Sequence, residues 1–298
     1  MAEEGFFEGC DGTQLYYHRQ GSGVPLVCCN GIGVSTFFWK YVQMRFSPHF
    51  EVIVWDYRGH GRSAPPKDPH LVSIPTLAED LRCLFQHLQL PPAVLLGHSM
   101  GVQVILELYR LTPRSVRALV PVLGSYGRTL DTFMGFRHSR VVFDRLYDLV
   151  FDSPRLGFQV FQSMVDPRFA LLTAPLLGLV DRLYCPVEDL KQYLEHLSAM
   201  DLKLIMRMAM SMADHSAEDV LSQIEVPTLI VAGERDMFTP LYLSEEMKSR
   251  ITGAEMLVLH EGSHAALIEQ PGVMLARLER FLNEHQLQTP LPAGTLCG

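Results

Sequence analysis

Apolar strands alternate with helical segments along this chain. That predicts an α/β fold: a mostly parallel central sheet flanked by helices, with an inserted helical cap. Three observations carry the expectation. Short, almost unbroken apolar runs recur through the first and last parts of the sequence, as expected of strands buried on both faces. Apolar residues repeat at helical spacing between those runs. Residues 126–216 break the rhythm, being rich in Phe, Leu and Met with no convincing strand. The expected organisation is a core of residues 1–125 and 217–298 and a cap of 126–216.

Each element has its own signal. "TQLYYHR" (13–19) alternates and reads as a strand. "PLVCCN" (25–30) is an apolar run ending at glycine, and "EVIVWDY" (51–57) is rich in β-branched residues. A helix follows, where Thr76 and Glu79 read as a capping box and Leu77, Leu81, Leu84 and Leu88 repeat with helical period. "AVLLGH" (93–98) is a buried strand and "MGVQVILELYR" a helix; "VRALVPVLG" (116–124) is a strand again. Beyond the cap, "PTLIVAGERD" (227–236) and "AEMLVLHEG" (254–262) are two more strands. The last helix starts near Pro271 and repeats Met274, Leu278, Phe281 and Leu282. The tail from residue 287 is punctuated by Pro and Gly and is expected to fray.

Composition narrows the function. The 298 residues carry a formal charge of −8, which argues against a nucleic-acid partner. The acidic start "MAEEGFFEGCDG" does not read as a secretory signal. No apolar stretch reaches the ~18 residues a membrane span needs. A cytoplasmic protein is the expectation. The six cysteines lack C-x-x-C spacing and are expected to be reduced thiols, with Cys28 and Cys29 as packing residues.

The chemistry centres on "VLLGHSMGVQV". Ser99 stands in G-x-S-x-G between an apolar strand and a helix. A sharp turn there would present the hydroxyl at the end of the strand, and glycines on both sides would let strand and helix approach. The N–H of Met100, at a helix N-terminus, could donate to a developing oxyanion. A serine hydroxyl needs a base, and the base needs an orienting carboxylate.

With "AGERDMFTP", "HEGSHAAL" and the D-x-R-G-x-G-x-S loop "DYRGHGRSAPP" (56–66), the chain resembles α/β-hydrolase fold enzymes. The resemblance covers roughly residues 6–125 and 217–285. It implies the chain order nucleophile, acid, histidine, which falls on Ser99, Asp236 and His264. Asp236 matches the family position better than Glu234, which is expected to be a loop contact. The family's other acid position reads "VLGSYG", with no carboxylate before Asp131. Asp56 is expected to structure its turn. The second oxyanion donor would be Ile32 N–H, in a turn where the family usually has His-Gly and this chain has Asn30-Gly31. A serine nucleophile implies acyl transfer, unlike the aspartate of related epoxide hydrolases and dehalogenases, and calls for no cofactor.

Residues 260–264 also fit H-E-x-x-H, the spacing of zinc proteases. Gly262 interrupts any helix through both histidines, and a third ligand would be needed. His260 is therefore expected to be structural, and no metal is expected. "NGIG" lacks the further residues of a phosphate loop.

The cap offers Phe133, Phe136, Phe151, Phe158, Phe161 and Phe169, with Met206 and Met210 one turn apart and Met208 and Met212 likewise. Some would pack the cap, and Met206 and Met210 are candidates to line an apolar substrate pocket. The expected activity is hydrolysis of a small-to-medium apolar carboxylic ester through an acyl-enzyme. A lactonase or a carbon–carbon bond hydrolase would use the same residues. A ligand receptor with slow turnover is the alternative from another class. The oligomeric state is not legible.

Overall fold

The computed structural model describes residues 2–127, 139–176, 179–181 and 183–289. Its strands are β1 (Ala2–Glu8), β2 (Gln14–Gly21), β3 (Pro25–Cys29), β4 (Glu51–Trp55), β5 (Ala93–His98), β6 (Val116–Val122), β7 (Leu229–Gly233) and β8 (Glu255–Leu259). They form one sheet in the order β1-β2-β4-β3-β5-β6-β7-β8. β2 pairs antiparallel with β1 and β4, and every pairing from β4 to β8 is parallel. The predicted strands all appear; β2 runs two residues past its expected end, β5 matches its expected span, and the others stop short where turns follow. β1 was not expected. Its "AEEGFFE" carries three acids, and of its residues only Phe7 is buried.

The helices are α1 (Lys40–Phe46), α2 (Ile74–His87), α3 (Met100–Leu111), α4 (Ser139–Asp152), α5 (Pro154–Val165), α6 (Pro167–Leu176), α7 (Val187–Ala199), α8 (Leu202–Asp214), α9 (Glu218–Leu221), α10 (Leu241–Arg250), α11 (Ala266–Glu269) and α12 (Pro271–Glu284). The start of α2 corrects the expected capping box. Ser73 is the N-cap, its hydroxyl accepting from Thr76 N–H, and Pro75 sits in the first turn. Proline has no N–H to leave unpaired there, so the helix begins before Thr76. Glu79 pairs with Arg82 instead.

The sheet divides the core in two. Val27, Cys29, Ile53 and Trp55 face α2 and α3. Leu26, Cys28, Val52 and Val54 face α1 and α12. Successive side chains alternate between faces, so both layers of a parallel sheet are apolar. Adjacent Cys28 and Cys29 enter opposite layers, and burial pushes the Cys29 thiol up to about 12. The five described cysteines are free, and Cys297 lies outside the described residues.

Between β6 and β7 the described residues form helices α4 to α9, joined by short turns. An antiparallel bridge, Gly127 to Ser216, closes the base of this insertion, and Ala217 N–H donates to Tyr126 O at 2.8 Å. Phe133, Phe136 and Asp131 lie outside the described residues. At the other end, Leu287 is buried and its N–H donates to Leu282 O at 2.8 Å. Residues 287–289 thus stay attached at the start of the tail expected to fray, and the rest of that tail, 290–298, lies outside the described residues. Among the described residues, no helix is long and apolar enough to cross a membrane.

The strand order fixes where a site can form. The chain passes from β4 over β3 to β5, so connections leave β3 and β5 in opposite directions. The carboxyl ends of such a strand pair open a crevice. Here those ends are Cys29, paired with Gly97, and the loops that follow them.

Candidate active site

Ser99 lies between the end of β5 and the start of α3, with φ 54° and ψ −117°. A non-glycine residue held at such angles costs about 1–3 kcal/mol and persists only where its surroundings impose it. Two flanking glycines show what imposes it here. A Cβ on Gly101 would stand 2.2 Å from Cys29 O, and one on Gly97 would stand 2.4 Å from Gly101 O. Ser99 N–H donates to Val122 O, and Ser99 O accepts from Val102 N–H, both at 3.0 Å. The side chain is left at the strand's end, half-buried. Met100 N–H belongs to the first turn of α3, where amides lack a carbonyl within the helix.

The structure brings Ser99, His264 and Asp236 together. His264 follows β8 and stands just before α11. Its Nε2 is 2.9 Å from Ser99 Oγ and its Nδ1 is 2.8 Å from Asp236 Oδ2. A carboxylate only accepts, so Nδ1 carries the proton and Nε2 is free to accept from the serine. Asp236 is buried after β7 and receives Phe238 N–H at 2.8 Å, Thr239 N–H at 2.9 Å and Thr239 Oγ1 at 2.8 Å. Burial pushes its carboxyl up. The His264 ring and the Thr239 donors outweigh that and hold it below its ordinary value. The Phe238 ring lies 4.8 Å from the imidazole, centroid to centroid. Such a chain can carry a proton from hydroxyl to imidazole while the carboxylate stays ionised.

His98, buried beside the serine, steadies the histidine loop. Its Nε2 donates to His264 O at 3.3 Å. Burial, foremost, holds its pKa down at about 3, so the ring is neutral. Neither His98 nor Thr239 was singled out from the sequence. Both flank recognised motifs, and that position was the available signal.

The loop after β3 reaches Ser99 from the other side. A Cβ on Gly31 would stand 3.1 Å from Ser99 Cβ, which sets the next residue, Ile32, beside the serine. Asn30 anchors this loop where the family usually has histidine. It is fully buried, donates from Nδ2 to Trp55 O at 2.7 Å and accepts Trp39 Nε1–H at 2.7 Å. Each such bond contributes on the order of 1 kcal/mol, and losing either partner costs more. Asp56 does structure its turn, accepting Thr36 N–H at 2.9 Å and Arg62 N–H at 3.0 Å. Behind it, fully buried Arg58 makes a two-pronged contact with Asp80 at 2.5 and 2.7 Å.

The two histidines of H-E-x-x-H part company. His260 follows β8 on the surface, 83% exposed at its side chain, with Nδ1 2.6 Å from Glu234. Glu234 also accepts Glu261 N–H at 2.9 Å, which makes it the loop contact expected of it. Glu234, His260 and Glu261 bring ligand atoms within 4.8 Å of one another, and Arg235 is paired with Glu261 at 2.6 Å. His264 is turned inward to Ser99. Met206 packs with Val150 and Leu202 among Phe143, Tyr147, Phe151 and Phe161. Met210 faces a cavity of about 340 Å³ with His70, Tyr147, Phe151 and Arg207, in whose lining Ser99, Asp236 and His264 have no part.

Residues 24–271 match a family model described as the alpha/beta hydrolase fold. The "Putative carbamate hydrolase RutD" of Azorhizobium caulinodans is 27% identical over 91% of this chain and 96% of its own length. "Protein ABHD8" of Homo sapiens is 25% identical over 95% of this chain, which spans only 60% of that protein. An esterase from Exiguobacterium antarcticum superposes with a TM-score of 0.74 at 23% identity, covering 93% of this chain and 98% of the other.

Proposed function

Because this chain belongs to the α/β-hydrolase fold family, we propose that it cleaves a carboxylic ester through an acyl-enzyme on Ser99. The observation that carries the proposal is the unbroken chain Ser99–His264–Asp236, with links of 2.9 and 2.8 Å. Ser99 Oγ attacks the ester carbonyl carbon as its proton passes to His264 Nε2. The negative charge formed on the carbonyl oxygen is met by the N–H groups of Met100 and Ile32. Collapse breaks the bond to the alcohol, which leaves with the proton from His264. Water then repeats the sequence, giving its proton to His264 and its oxygen to the acyl carbon, and Ser99 is released. Asp236 remains a carboxylate throughout and stabilises the imidazolium. No metal or cofactor enters these steps.

The helical insertion acts as the cap, with 126–216 as its bounds, and selects the acyl group. It leaves the sheet after β6, whose carboxyl end lies beside that of β5. Met206 and Met210 are its candidate substrate contacts. Apolar acyl chains are the favoured class, because a buried methylene contributes about 0.8 kcal/mol. A lactone is an internal ester and follows the same steps. A carbamate is the second reading, favoured by the name of the Azorhizobium relative; its carbonyl offers the same point of attack.

A fluorophosphonate probe tests the assignment. Mass spectrometry should place the adduct on Ser99, and Ser99→Ala should lose both the adduct and at least about 10³-fold in kcat. An adduct elsewhere, or turnover surviving in Ser99→Ala, would overturn it. Tight ligand binding with no turnover in the wild type would favour the receptor. Esters and carbamates of one alcohol, compared by kcat/KM, separate the two substrate readings.

A further inference from the structure

The loop that carries Ile32 is gripped from two sides at the next residue. Gly33 has φ +73°, an angle open to glycine at little cost. Its N–H donates to His60 Nε2 at 3.1 Å. Its carbonyl accepts from His196 Nδ1 at 3.0 Å. His60 Nδ1 in turn donates to Arg58 O at 3.0 Å. His196 Nε2 accepts Gly61 N–H at 3.0 Å. Both rings thus use one nitrogen as donor and the other as acceptor, which only a neutral imidazole can do. Their centroids lie 6.3 Å apart.

These two grips come from different parts of the molecule. His60 is fully buried in the core, on the loop after β4. His196 sits in the last turn of α7, in the helical insertion. The same helix covers Gly33 closely, since a Cβ there would stand 2.6 Å from Leu197 Cδ1. Phe37 meets the His196 ring edge-on at 5.7 Å. At its other end α7 is tied to α1, where Tyr41 Oη donates to Asp189 at 3.1 Å and Lys40 pairs with the same carboxylate. Asn30 fixes the start of the loop from within the core. At Gly33 the core holds the N–H and the insertion holds the carbonyl.

We propose that His196 is a positioning residue that couples seating of the insertion to completion of the oxyanion site. His60 holds the Gly33 N–H and so the peptide before Gly33, while His196 holds its carbonyl and so the peptide after it; with Asn30 fixing the start of the loop, the Gly31–Ile32 peptide between these anchors keeps its N–H toward Ser99. A lifted α7 frees the Gly33 carbonyl, and the donor at Ile32 loses its orientation. The proposal rests on Ser99 being the nucleophile.

The test compares three substitutions by steady-state hydrolysis of a p-nitrophenyl ester. His196→Ala should lower kcat about 10- to 100-fold, below the full loss typical of a deleted oxyanion donor, with KM changed less than about threefold. His196→Asn places an amide N–H where Nδ1 stood and keeps the bond to Gly33 O. His196→Gln places its amide near Nε2 and keeps only the Gly61 contact. His196→Asn should therefore retain severalfold more kcat than His196→Gln, even if His196→Ala folds poorly. Equal kcat in the Asn and Gln variants, or a change confined to KM, overturns the coupling. Ser99→Ala, run beside them, separates the two failures. If it abolishes turnover while the His196 variants are unaffected, only the coupling falls; if turnover survives it, the nucleophile assignment falls first.

Discussion

The core and the helical insertion bury apolar side chains to very different depths. Strands β3, β4 and β5 are almost wholly inaccessible, and their residues divide between two large layers. The described insertion has two small clusters, one around Val150, Leu202 and Met206, the other around Ala170, Ala174, Val180, Leu190 and Leu194. It leaves Leu172 69% and Leu183 86% exposed. The proposed chemistry follows this division. Ser99, His264 and Asp236 stand on strand ends that the packed layers hold in place. The insertion is joined to the core mainly through one face of α8, whose Leu204 and Met208 enter the core layer, and through polar hooks on α7. Rigid placement is a property of the sheet, and the insertion adds contacts to it.

The largest way to stress that contrast is acid. His60 and His98 are core imidazoles held down at about 4 and about 3, mainly by burial, against an ordinary value of 6.5. The native rings stay neutral while those of the unfolded chain take up protons as pH falls below 6.5. Their contribution is thus complete above about pH 6.5 and is lost as pH falls toward the native values. Between about pH 8 and pH 5 each ring should lose about 2 kcal/mol, or ~4 kcal/mol together. Asp236, held low, adds a loss only below its unfolded value of 3.8. Urea unfolding across this range measures the slope, and His60→Gln should remove about half of it. A flat profile would mean these rings are open to water.

How much was legible in the sequence follows the same line. The inner strands announced themselves because both faces of each are buried, so nearly every residue is apolar. β1 hid because it is an edge strand with one buried residue. The convergence of Ser99, Asp236 and His264 was legible because each sits in a local motif at a strand end. His60 lay inside a recognised motif, yet its partner Gly33 is 27 residues away. His196 had no signal, since the carbonyl it holds lies 163 residues earlier in the chain. In α8 the spacing gave two methionine pairs but not their directions. Met208 and Met212 pack toward the core layer, while Met206 and Met210 face the insertion's side. Helical period fixes which residues share a face and is silent on what each face meets.

Three methionines turn this into a graded test. Met274 is fully buried in the core layer, so Met274→Ala should cost about 3–4 kcal/mol. Met206 sits in a small cluster at the molecule's margin, where neighbours can collapse into the gap; Met206→Ala should cost about 2 kcal/mol. Met210 lines an open cavity, and Met210→Ala should cost under ~1 kcal/mol. Chain-length profiles from p-nitrophenyl acetate to dodecanoate should then shift for whichever methionine touches the acyl chain. A profile unchanged in both insertion variants would assign both residues to packing alone.

The smallest expected effect belongs to the surface histidine. His260, Glu234 and Glu261 have the donor types of a metal site, and their spacing in sequence invites that reading. Their surroundings differ from those of His264 in three respects. The His260 side chain is 83% exposed, so water competes for every contact. Arg235 already supplies a cation to Glu261. Glu234 is engaged by Glu261 N–H, and Gln270 Nε2 donates to His260 O at 2.9 Å, which ties the loop down through its backbone instead of the imidazole. His260→Ala should therefore change kcat/KM less than about twofold and shift stability by no more than ~0.5 kcal/mol, as surface changes usually do. Incubation with EDTA should leave ester hydrolysis unaltered. Activity lost on chelation and restored by zinc, together with a large effect of His260→Ala, would move the chemistry from the strand end to the surface. Rigid placement by the sheet would then cease to be what the site depends on.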